Sequence, residues 1–296
     1  MKLSMMDFEG RRAIELSTGK LRLAAVYEYG PRIAFFGKPG GRNLLYWNPG
    51  HHARGEWDLR GGHRVWVTRP GADESEEAYR PDNEPAQVAE TQDGFVITAA
   101  LDPITKTKKG FGVRLLADDV LEVDNFIINE GDMLYSGGVW GLTCTAPMPG
   151  TRYGIPVGDR SAWDSFSMVF FRSWGGGHTG AYDDPQIRFS NDLLVVEPKG
   201  VENKRMLRAR PGIIAMCDPA RGVTFAKKTE YVEGASYPLG ANLAFYIAPG
   251  NFMVEMETMG PEKSLRPGEA VRNKETWVLK PWAAALDNAT GLLSLF

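Results

Sequence analysis

The sequence predicts an all-β protein built as a large antiparallel sandwich, on three observations. Short apolar stretches of strand length recur along the chain, separated by turn residues at hairpin-like spacing. No stretch keeps helical periodicity over a dozen residues, and strands do not alternate with helices. The chain has 296 residues, 43% of them hydrophobic, which is enough for a large core, and no low-complexity linker divides it. We therefore expect one domain over residues 1–296.

The first half of the chain supplies a series of predicted strands. Leu21, Leu23 and Ala25 alternate along one face of the first, within residues 13–27. Further strands are predicted at 33–36, in a short segment ending at Trp47, at 65–68, at 94–101 and as a meander over 111–129. Asp118-Asp119 predicts the hairpin turn of that meander.

The second half continues the same rhythm. Strands are predicted on the segments QIRF, LLVVEP, GIIAMCD, GVTFAKK, NLAFYIAP, FMVEMETMG and ETWVL. Residues 137–160 are rich in Gly and Pro, and residues 173–185, which contain three consecutive glycines, are predicted as a loop. The tail PWAAALDNATGLLSLF predicts a short docked helix.

Charge and composition exclude several classes of function. A net charge of −3 favours neither nucleic acid nor an anionic membrane as a partner. Asp7 and Glu9 precede any apolar run, so we expect no secretory signal, no membrane span and a cytoplasmic location. Cys144 and Cys217 form no CxxC pair, so neither a zinc nor a redox motif is present. We predict no cofactor, and the oligomeric state stays open.

Residues 61–85 concentrate polar and aromatic chemistry in one short span. Gly61-Gly62 permits a tight backbone before the strand at 65–68. Around it stand His63, Arg64, Trp66, Arg69, Arg80, Asp82, Asn83 and Glu84. Sugar rings need such a mixture, an apolar face for stacking and many groups that satisfy hydroxyls. A strand end followed by a polar loop would have the same composition, and the acidic run at 70–78 is predicted as a solvated loop.

Four segments, in this order, resemble the galactose mutarotase-like superfamily, which includes the aldose 1-epimerases. They are YGPRIAFFG with GRNLLYW, then RGGHRVWVTRP, then NEGDMLYSGGVWGLT, and finally FMVEMETMGP with LRPGEAVRNKETWVL. Together they span most of the chain, from residue 29 to residue 279. The resemblance implies a large antiparallel β-supersandwich, with a concave sheet that binds a small-molecule carbohydrate.

The resemblance also implies acid/base chemistry at the anomeric centre of a sugar. In that superfamily a glutamate takes the proton of the anomeric hydroxyl and a histidine protonates the ring oxygen, so the ring opens and recloses as the other anomer. Glu257-Thr258, with Pro261 following, matches the context of the glutamate, so Glu257 is the expected base. Glu255 has the same strand parity and is expected on the same face. An ordinary alternating strand with an exposed face would show the same pattern.

The chain departs from the superfamily at the histidine. Segment 137–143 reads GGVWGLT, where Trp140 stands in the neighbourhood of the expected imidazole. An indole can stack on a sugar ring but cannot act as an acid toward its oxygen. His63 is the first substitute for the catalytic acid, and His178 is the second. We expect His63 and Glu257 to face each other across a cleft that holds one pyranose.

Further substrate contacts are predicted on residue type and position. The set comprises Arg64, Arg80, Asp82, Glu84, Trp140, His178, Lys204, Asn242 and Glu255. Carboxylates would accept hydrogen bonds from sugar hydroxyls, and arginines would donate them. Lys204 or an arginine would also suit a uronate or a sugar phosphate. His51, His52, His63, Asp58, Asp82 and Glu84 show no known metal-ligand spacing, so no metal site is predicted.

Three functions remain open on the sequence. The first is an aldose 1-epimerase-like reaction on a monosaccharide or a sugar derivative. The second is carbohydrate binding without catalysis, which the absent histidine and the abundant tryptophan favour. The third is a glycoside lyase or hydrolase that uses Glu255, Glu257 or Asp82, and a hydrolase requires two carboxylates roughly 5 to 10 Å apart across the sugar.

Overall fold

A computed structural model describes residues 1–51, 58–68, 79–158, 166–171, 183–190, 192–281 and 288–296. Over these residues the chain forms two large antiparallel sheets that pack face to face around one main apolar cluster. The all-β prediction and the antiparallel sandwich are thereby confirmed. The predicted loop at 70–78 and most of the predicted loop at 173–185 lie outside the described residues.

The first sheet contains eleven strands in the described part of the chain. They are β1 (Lys2–Phe8), β2 (Arg11–Ser17), β3 (Arg22–Val26), β4 (Arg32–Gly37), β5 (His63–Thr68), β10 (Tyr135–Thr145), β12 (Phe166–Phe170), β15 (Asn203–Ala209), β18 (Leu243–Ile247), β19 (Val254–Met259) and β20 (Lys263–Leu265). Their order across the sheet is β1-β2-β3-β4-β5-β10-β19-β18-β15-β12, and β20 pairs with β10.

The second sheet contains ten of the described strands. They are β6 (Gln87–Thr91), β7 (Gly94–Thr98), β8 (Thr107–Ala117), β9 (Val120–Asn129), β11 (Arg152–Pro156), β13 (Ile187–Ser190), β14 (Leu193–Val196), β16 (Ile213–Asp218), β17 (Val223–Thr229) and β21 (Ala270–Pro281). Their order is β13-β14-β11-β16-β17-β21-β9-β8-β7-β6. Two 3-10 turns lie at Pro238–Gly240 and Pro249–Asn251, and a short helix, α1, spans Ala289–Leu293.

The core lies between the two sheets, where side chains of one parity on each strand meet those of the other sheet. Phe36 of the first sheet contacts Phe225 and Trp277 of the second, with ring centroids 4.7 and 5.2 Å apart. The central strands β5, β10 and β19 are buried almost throughout. The polar residues that alternate with apolar ones along β19, Glu255 and Glu257, are therefore buried and do not form a solvent-exposed face.

Most of the predicted strands are present where the sequence placed them. Leu23 and Ala25 of β3 are buried in the core, and Asp118-Asp119 forms the turn between β8 and β9. Helix α1 is docked through the buried Ala289 and Leu292, as predicted for the tail. The strand predicted to end at Trp47 is wrong, because that segment makes only isolated bridges, Leu45 with Thr145 and Trp47 with Gly61.

Strand β10 occupies the centre of the first sheet, although its glycine-rich sequence gave no strand prediction. Its glycines lie where neighbouring groups come close. A Cβ added at Gly137 would lie 2.7 Å from the carbonyl oxygen of Thr68, and one added at Gly141 would lie 2.7 Å from Oε1 of Glu275. These glycines therefore allow close packing against β5 and against the second sheet rather than marking a loop.

Candidate functional site

The central strands of the first sheet place their side chains alternately on two faces. Arg64, Leu142 and Glu257 are paired across β5, β10 and β19, and His63, Thr143 and Met256 form the next row. Because side chains alternate along a strand, the two rows point to opposite faces. We call the face directed away from the second sheet the outer face; it carries Arg64, Trp66, Trp140, Lys204, Glu255 and Glu257.

Glu257 is the central carboxylate of the outer face. Its side chain is 0% exposed. The Trp140 indole Nε1 donates a hydrogen bond of 2.8 Å to Oε2, and Nζ of Lys204 lies 2.5 Å from Oε1. Lys204 is itself 2% exposed, and its Nζ lies 5.2 Å from the centroid of the Trp140 ring. Both carboxylate oxygens are thus satisfied, which a buried charge requires.

Lys204 reaches Glu257 from β15 across the intervening strand β18. Ala244 of β18 is paired with Glu257 on one side and with Met206 on the other. Lys204 lies two residues along β15 from Met206, on the same face, and is paired with Tyr246. Since Ala244 has only a methyl group, it leaves room for the long lysine stem to pass over it. The small residue on β18 therefore permits the buried ion pair.

Glu255 lies beside Glu257 on the same face and has its own cation. Its Oε1 is 3.9 Å from Nη2 of Arg64 and 3.5 Å from Sγ of Cys144. Burial, reinforced by the neighbouring carboxylate, raises the pKa of the Cys144 thiol. The thiol is therefore a neutral packing group in this part of the site.

An aromatic wall borders the two carboxylates. The rings of Trp66 and Trp140 are perpendicular, with centroids 5.5 Å apart, and the Tyr79 ring lies 3.9 Å from Trp66. The guanidinium carbon of Arg64 lies 4.3 Å from the Trp66 ring centroid. The outer face thus combines charged groups with flat apolar surface, which is the pairing that sugar recognition uses.

Asp82 is a buried anchor at the side of this face. Its Oδ2 accepts a hydrogen bond of 2.9 Å from Nη2 of Arg32, which is fully buried. Burial has the largest effect and raises the pKa of Asp82, but Arg32, Arg64 and Lys109 together hold it below its usual value. Burial also lowers the pKa of Lys109 to about 7. Asp82 therefore balances a group of buried cations.

His63 lies on the opposite face of the sheet, in the interlayer. Its Nδ1 is 2.9 Å from Oγ1 of Thr143 and its Nε2 is 2.9 Å from Oδ1 of Asn125, while its ring packs on Trp277. Burial lowers the pKa of His63 to about 4. The expectation that His63 faces Glu257 across a cleft is wrong, because the two residues have opposite strand parity relative to the sheet.

The remaining predicted contacts divide into separate locations. The side-chain amide of Asn242 accepts a hydrogen bond from the Ala209 backbone N–H and donates one to the Ala209 carbonyl oxygen, so it stabilises the sheet. Arg80 and Glu84 are exposed, and neither is placed beside Glu257 by a described contact. His178 lies outside the described residues. Of the predicted set, the structure brings together Arg64, Trp140, Lys204, Glu255 and Glu257.

Several site residues were missed by sequence reasoning. Tyr79 and Cys144 gave no signal, and neither did Lys109, whose Nζ donates to the Tyr79 carbonyl oxygen. Arg32 did carry a sequence signal, because it is a charged residue directly before the apolar run IAFF. A cation inside such a strand must find a buried partner, and Asp82 is that partner.

The described residues of the outer face are suited to proton transfer and hydrogen bonding. No group of three or more His, Cys, Asp or Glu side chains in the described ranges could hold a metal ion. No described helix is both long enough and apolar enough to cross a bilayer. A paired carboxylate and ammonium beside aromatic rings can accept and donate protons at a bound polar molecule.

Comparison with solved structures identifies the fold. No protein-family model matches the sequence, and no curated protein sequence matches it either. A galactose mutarotase-like protein from Lactobacillus casei ATCC 334 superimposes with a TM-score of 0.64 at 10% identity, covering 90% of this chain and 100% of that one. A protein provisionally described as an aldose 1-epimerase, from Escherichia coli K12, gives 0.63 at 13% identity, with 90% and 98% covered. A galactose mutarotase related enzyme from Lactobacillus acidophilus gives 0.55 at 11% identity, with 92% and 98% covered.

These likenesses establish the galactose mutarotase-like fold. The expected β-supersandwich and the resemblance stated from the sequence are confirmed at that level. Identities of 10 to 13% do not carry activity or substrate from those proteins to this chain. The function must therefore be argued from the outer face itself.

Proposed function

We propose that this chain is an aldose 1-epimerase-type isomerase that interconverts the anomers of a monosaccharide or a sugar derivative. One observation carries the proposal: a buried glutamate, Glu257, stands at the centre of the outer face with both oxygens held, by Trp140 and by Lys204. The fold is shared with proteins described as mutarotase-like or provisionally as an aldose 1-epimerase. Glu257 is the general base in this reaction.

The reaction begins when the anomeric hydroxyl of the sugar takes a position next to Glu257. The indole of Trp140 fixes Oε2, so the carboxylate has one defined orientation toward the hydroxyl. Glu257 takes the hydroxyl proton while the bond from the anomeric carbon to the ring oxygen breaks and a donor protonates that oxygen. Rotation of the resulting aldehyde and reclosure give the other anomer.

Other residues of the outer face suit binding of the sugar. Arg64 and Glu255 offer a donor and an acceptor for hydroxyl groups, and they lie within 3.9 Å of each other. The aromatic wall formed by Trp66, Tyr79 and Trp140 offers apolar surface for the ring. A carbohydrate is accordingly the proposed partner.

The test is NMR exchange spectroscopy between anomers, run on a panel of neutral sugars, uronates and sugar phosphates. The wild-type chain should accelerate exchange for at least one of them. Glu257→Gln, which keeps the shape but cannot accept the proton, should lower that rate at least about 100-fold. Glu255→Gln is the matched control on the same strand, and it should mainly raise KM because Glu255 is proposed to bind the sugar. No acceleration with any sugar, or a fully active Glu257→Gln, would end the proposal.

Carbohydrate binding without turnover is the second candidate function. One observation favours it: the described side-chain partners of Glu257 are an indole and an ammonium, not an imidazole. Calorimetry that shows saturable sugar binding, together with anomer exchange no faster than in buffer, would establish it. No specific observation favours a hydrolase: Glu255 and Glu257 project from the same face of one strand, and Asp82 is paired with the buried Arg32.

A further inference from the structure

We propose that Lys204 is the general acid of this site, the group that protonates the ring oxygen when the sugar opens. The inference rests on the proposed isomerase function and names a catalytic role that the histidine of the superfamily would otherwise fill. The nearest described cation to Glu257 is Nζ of Lys204, 2.5 Å from Oε1.

The geometry of the substrate requires an acid close to the base. The anomeric hydroxyl and the ring oxygen are bonded to the same carbon, so the groups that serve them must be neighbours on the same face. Lys204 and Glu257 meet this condition, since they are in direct contact on the outer face. His63 does not, since its ring lies in the interlayer and contacts Trp277 of the second sheet.

An ammonium group has the donors that the step needs. Nζ of lysine carries three N–H groups and, as an ammonium, can release a proton to an oxygen. Trp140 approaches the same carboxylate but offers an indole N–H, which is a donor and not a proton source. The two therefore have different roles: Trp140 orients the base, and Lys204 transfers a proton.

The environment of Lys204 contains both acidic and neutral titratable groups. Glu257 faces it from β19, and Tyr246 of β18 is in register with it. Glu255 is in register with Tyr246 on the far side, and the Tyr246 hydroxyl donates to Glu202. Glu257 is the nearest of these groups, with its Oε1 2.5 Å from Nζ of Lys204.

The proposed step balances in atoms and electrons. The O–H proton of the anomeric hydroxyl passes to Glu257, and its electron pair forms the aldehyde C=O. The C–O bond to the ring oxygen breaks, and its electrons go to that oxygen, which takes a proton from the Lys204 ammonium. After rotation about the bond between the first and second carbons, reclosure reverses both transfers. The enzyme then returns to the charged pair.

A structural role for Lys204, as a counter-ion that only holds Glu257, makes a different prediction for arginine. Lys204→Arg keeps a positive charge and can still bond the carboxylate, but a guanidinium does not release a proton in the working pH range. A counter-ion role would therefore be preserved by arginine. A proton-donor role would be lost.

The experiment compares kcat, KM and their pH profiles for the wild-type chain, Lys204→Arg and Lys204→Gln, using the sugar that the wild type turns over fastest. Lys274→Gln, at an exposed lysine of β21, is the control and should match the wild type. Both Lys204 variants should lose at least about 100-fold in kcat with KM changed only a few-fold. The fall in wild-type rate at alkaline pH, where the ammonium deprotonates, should be absent from the residual activity of Lys204→Arg.

Folding and rescue are measured on the same proteins. Circular dichroism melting and sugar binding by calorimetry report whether each variant is folded, and methylamine added to Lys204→Ala should restore part of the rate. A Lys204→Arg variant that keeps wild-type kcat and the alkaline limb would overturn the inference and leave the isomerase function intact. A wild-type chain without any exchange activity would overturn both.

Discussion

His63 and Glu257 lie two strands apart in the same sheet, and their side chains leave it on opposite faces. Thr143 of β10 is paired with His63 on one side and with Met256 on the other, so Glu257 is one residue out of that row. A difference of one residue along a strand reverses the face to which a side chain points. The proposed base and the histidine of β5 therefore cannot act together on one substrate, and the proposed chemistry is confined to the outer face.

Replacement of Trp140 by phenylalanine should lower kcat by about 10- to 100-fold. The change removes the N–H that holds Oε2 of Glu257 and keeps the ring, and hydrogen bonds to charged groups contribute about 1.5–3 kcal/mol. Trp66→Phe is the matched control, since Trp66 is a buried indole of the same aromatic wall, with its ring centroid 5.5 Å from that of Trp140. NMR exchange rates under steady-state conditions measure kcat for both variants. An equal loss of kcat in the two variants would contradict an orienting role for Trp140.

His63 should make the free energy of unfolding fall as the pH is lowered. Burial lowers its pKa to about 4 in the folded chain from 6.5, so between these values the unfolded chain binds the extra proton. Stability contributed by the neutral imidazole is therefore present above pH 6.5 and lost progressively toward pH 4, by about 3 kcal/mol in total. Urea unfolding across this range measures it.

The control for this titration is His63→Asn, which removes the ionisable ring. The difference in unfolding free energy between the wild type and this variant should shrink as the pH falls. A difference that stays constant with pH would show that His63 does not titrate in this way.

The buried pair of Arg32 and Asp82 should be costly to break. Asp82→Asn removes the charge that balances a fully buried guanidinium, which should lower the free energy of unfolding by about 3–5 kcal/mol. The exposed pair of Arg12 and Glu28 is the comparison, and Glu28→Gln should cost less than about 1 kcal/mol. Urea unfolding near pH 7 measures both variants. Equal losses of unfolding free energy in Asp82→Asn and Glu28→Gln would contradict the prediction.

A methyl group at Gly141 should destabilise the sheet interface. Its Cβ would lie 2.7 Å from Oε1 of Glu275, which is buried and paired with Lys227 at 3.0 Å. Gly141→Ala should therefore cost about 1–3 kcal/mol. Gly112→Ala is the matched strand glycine, because its Cβ would meet Val96 at an ordinary 3.5 Å, and it should be close to neutral. Thermal unfolding compares them, and similar melting temperatures would contradict close packing at Gly141.

Much of the fold could be predicted because strand length, turn residues and apolar content are local properties. The turn at Asp118-Asp119 and the docked helix α1 are of this kind. Strand β10 could not be predicted in this way, because its glycines are set by neighbours such as Glu275 that are distant in sequence. Local propensity carries no information about that contact.

The site could be predicted only in part for a related reason. Glu257, Lys204 and Trp140 are on separate strands, and their contact depends on register and on the small Ala244 between two of them. The sequence did hold one unused signal: His63 shares its parity with the apolar Val65 and Val67, and Arg64 shares its parity with Trp66. That parity places His63 with the core, but only the pairing of strands shows that Glu257 belongs with Arg64.

The most direct measurement is a side-by-side determination of kcat/KM at pH 7 for Glu257→Gln and His63→Asn, with anomer exchange followed by NMR. If the reaction takes place on the outer face, Glu257→Gln loses at least about 100-fold while His63→Asn, once shown to be folded, stays within a few-fold of the wild type. Comparable large losses in both folded variants, or a loss confined to His63→Asn, would contradict the assignment of the reaction to that face.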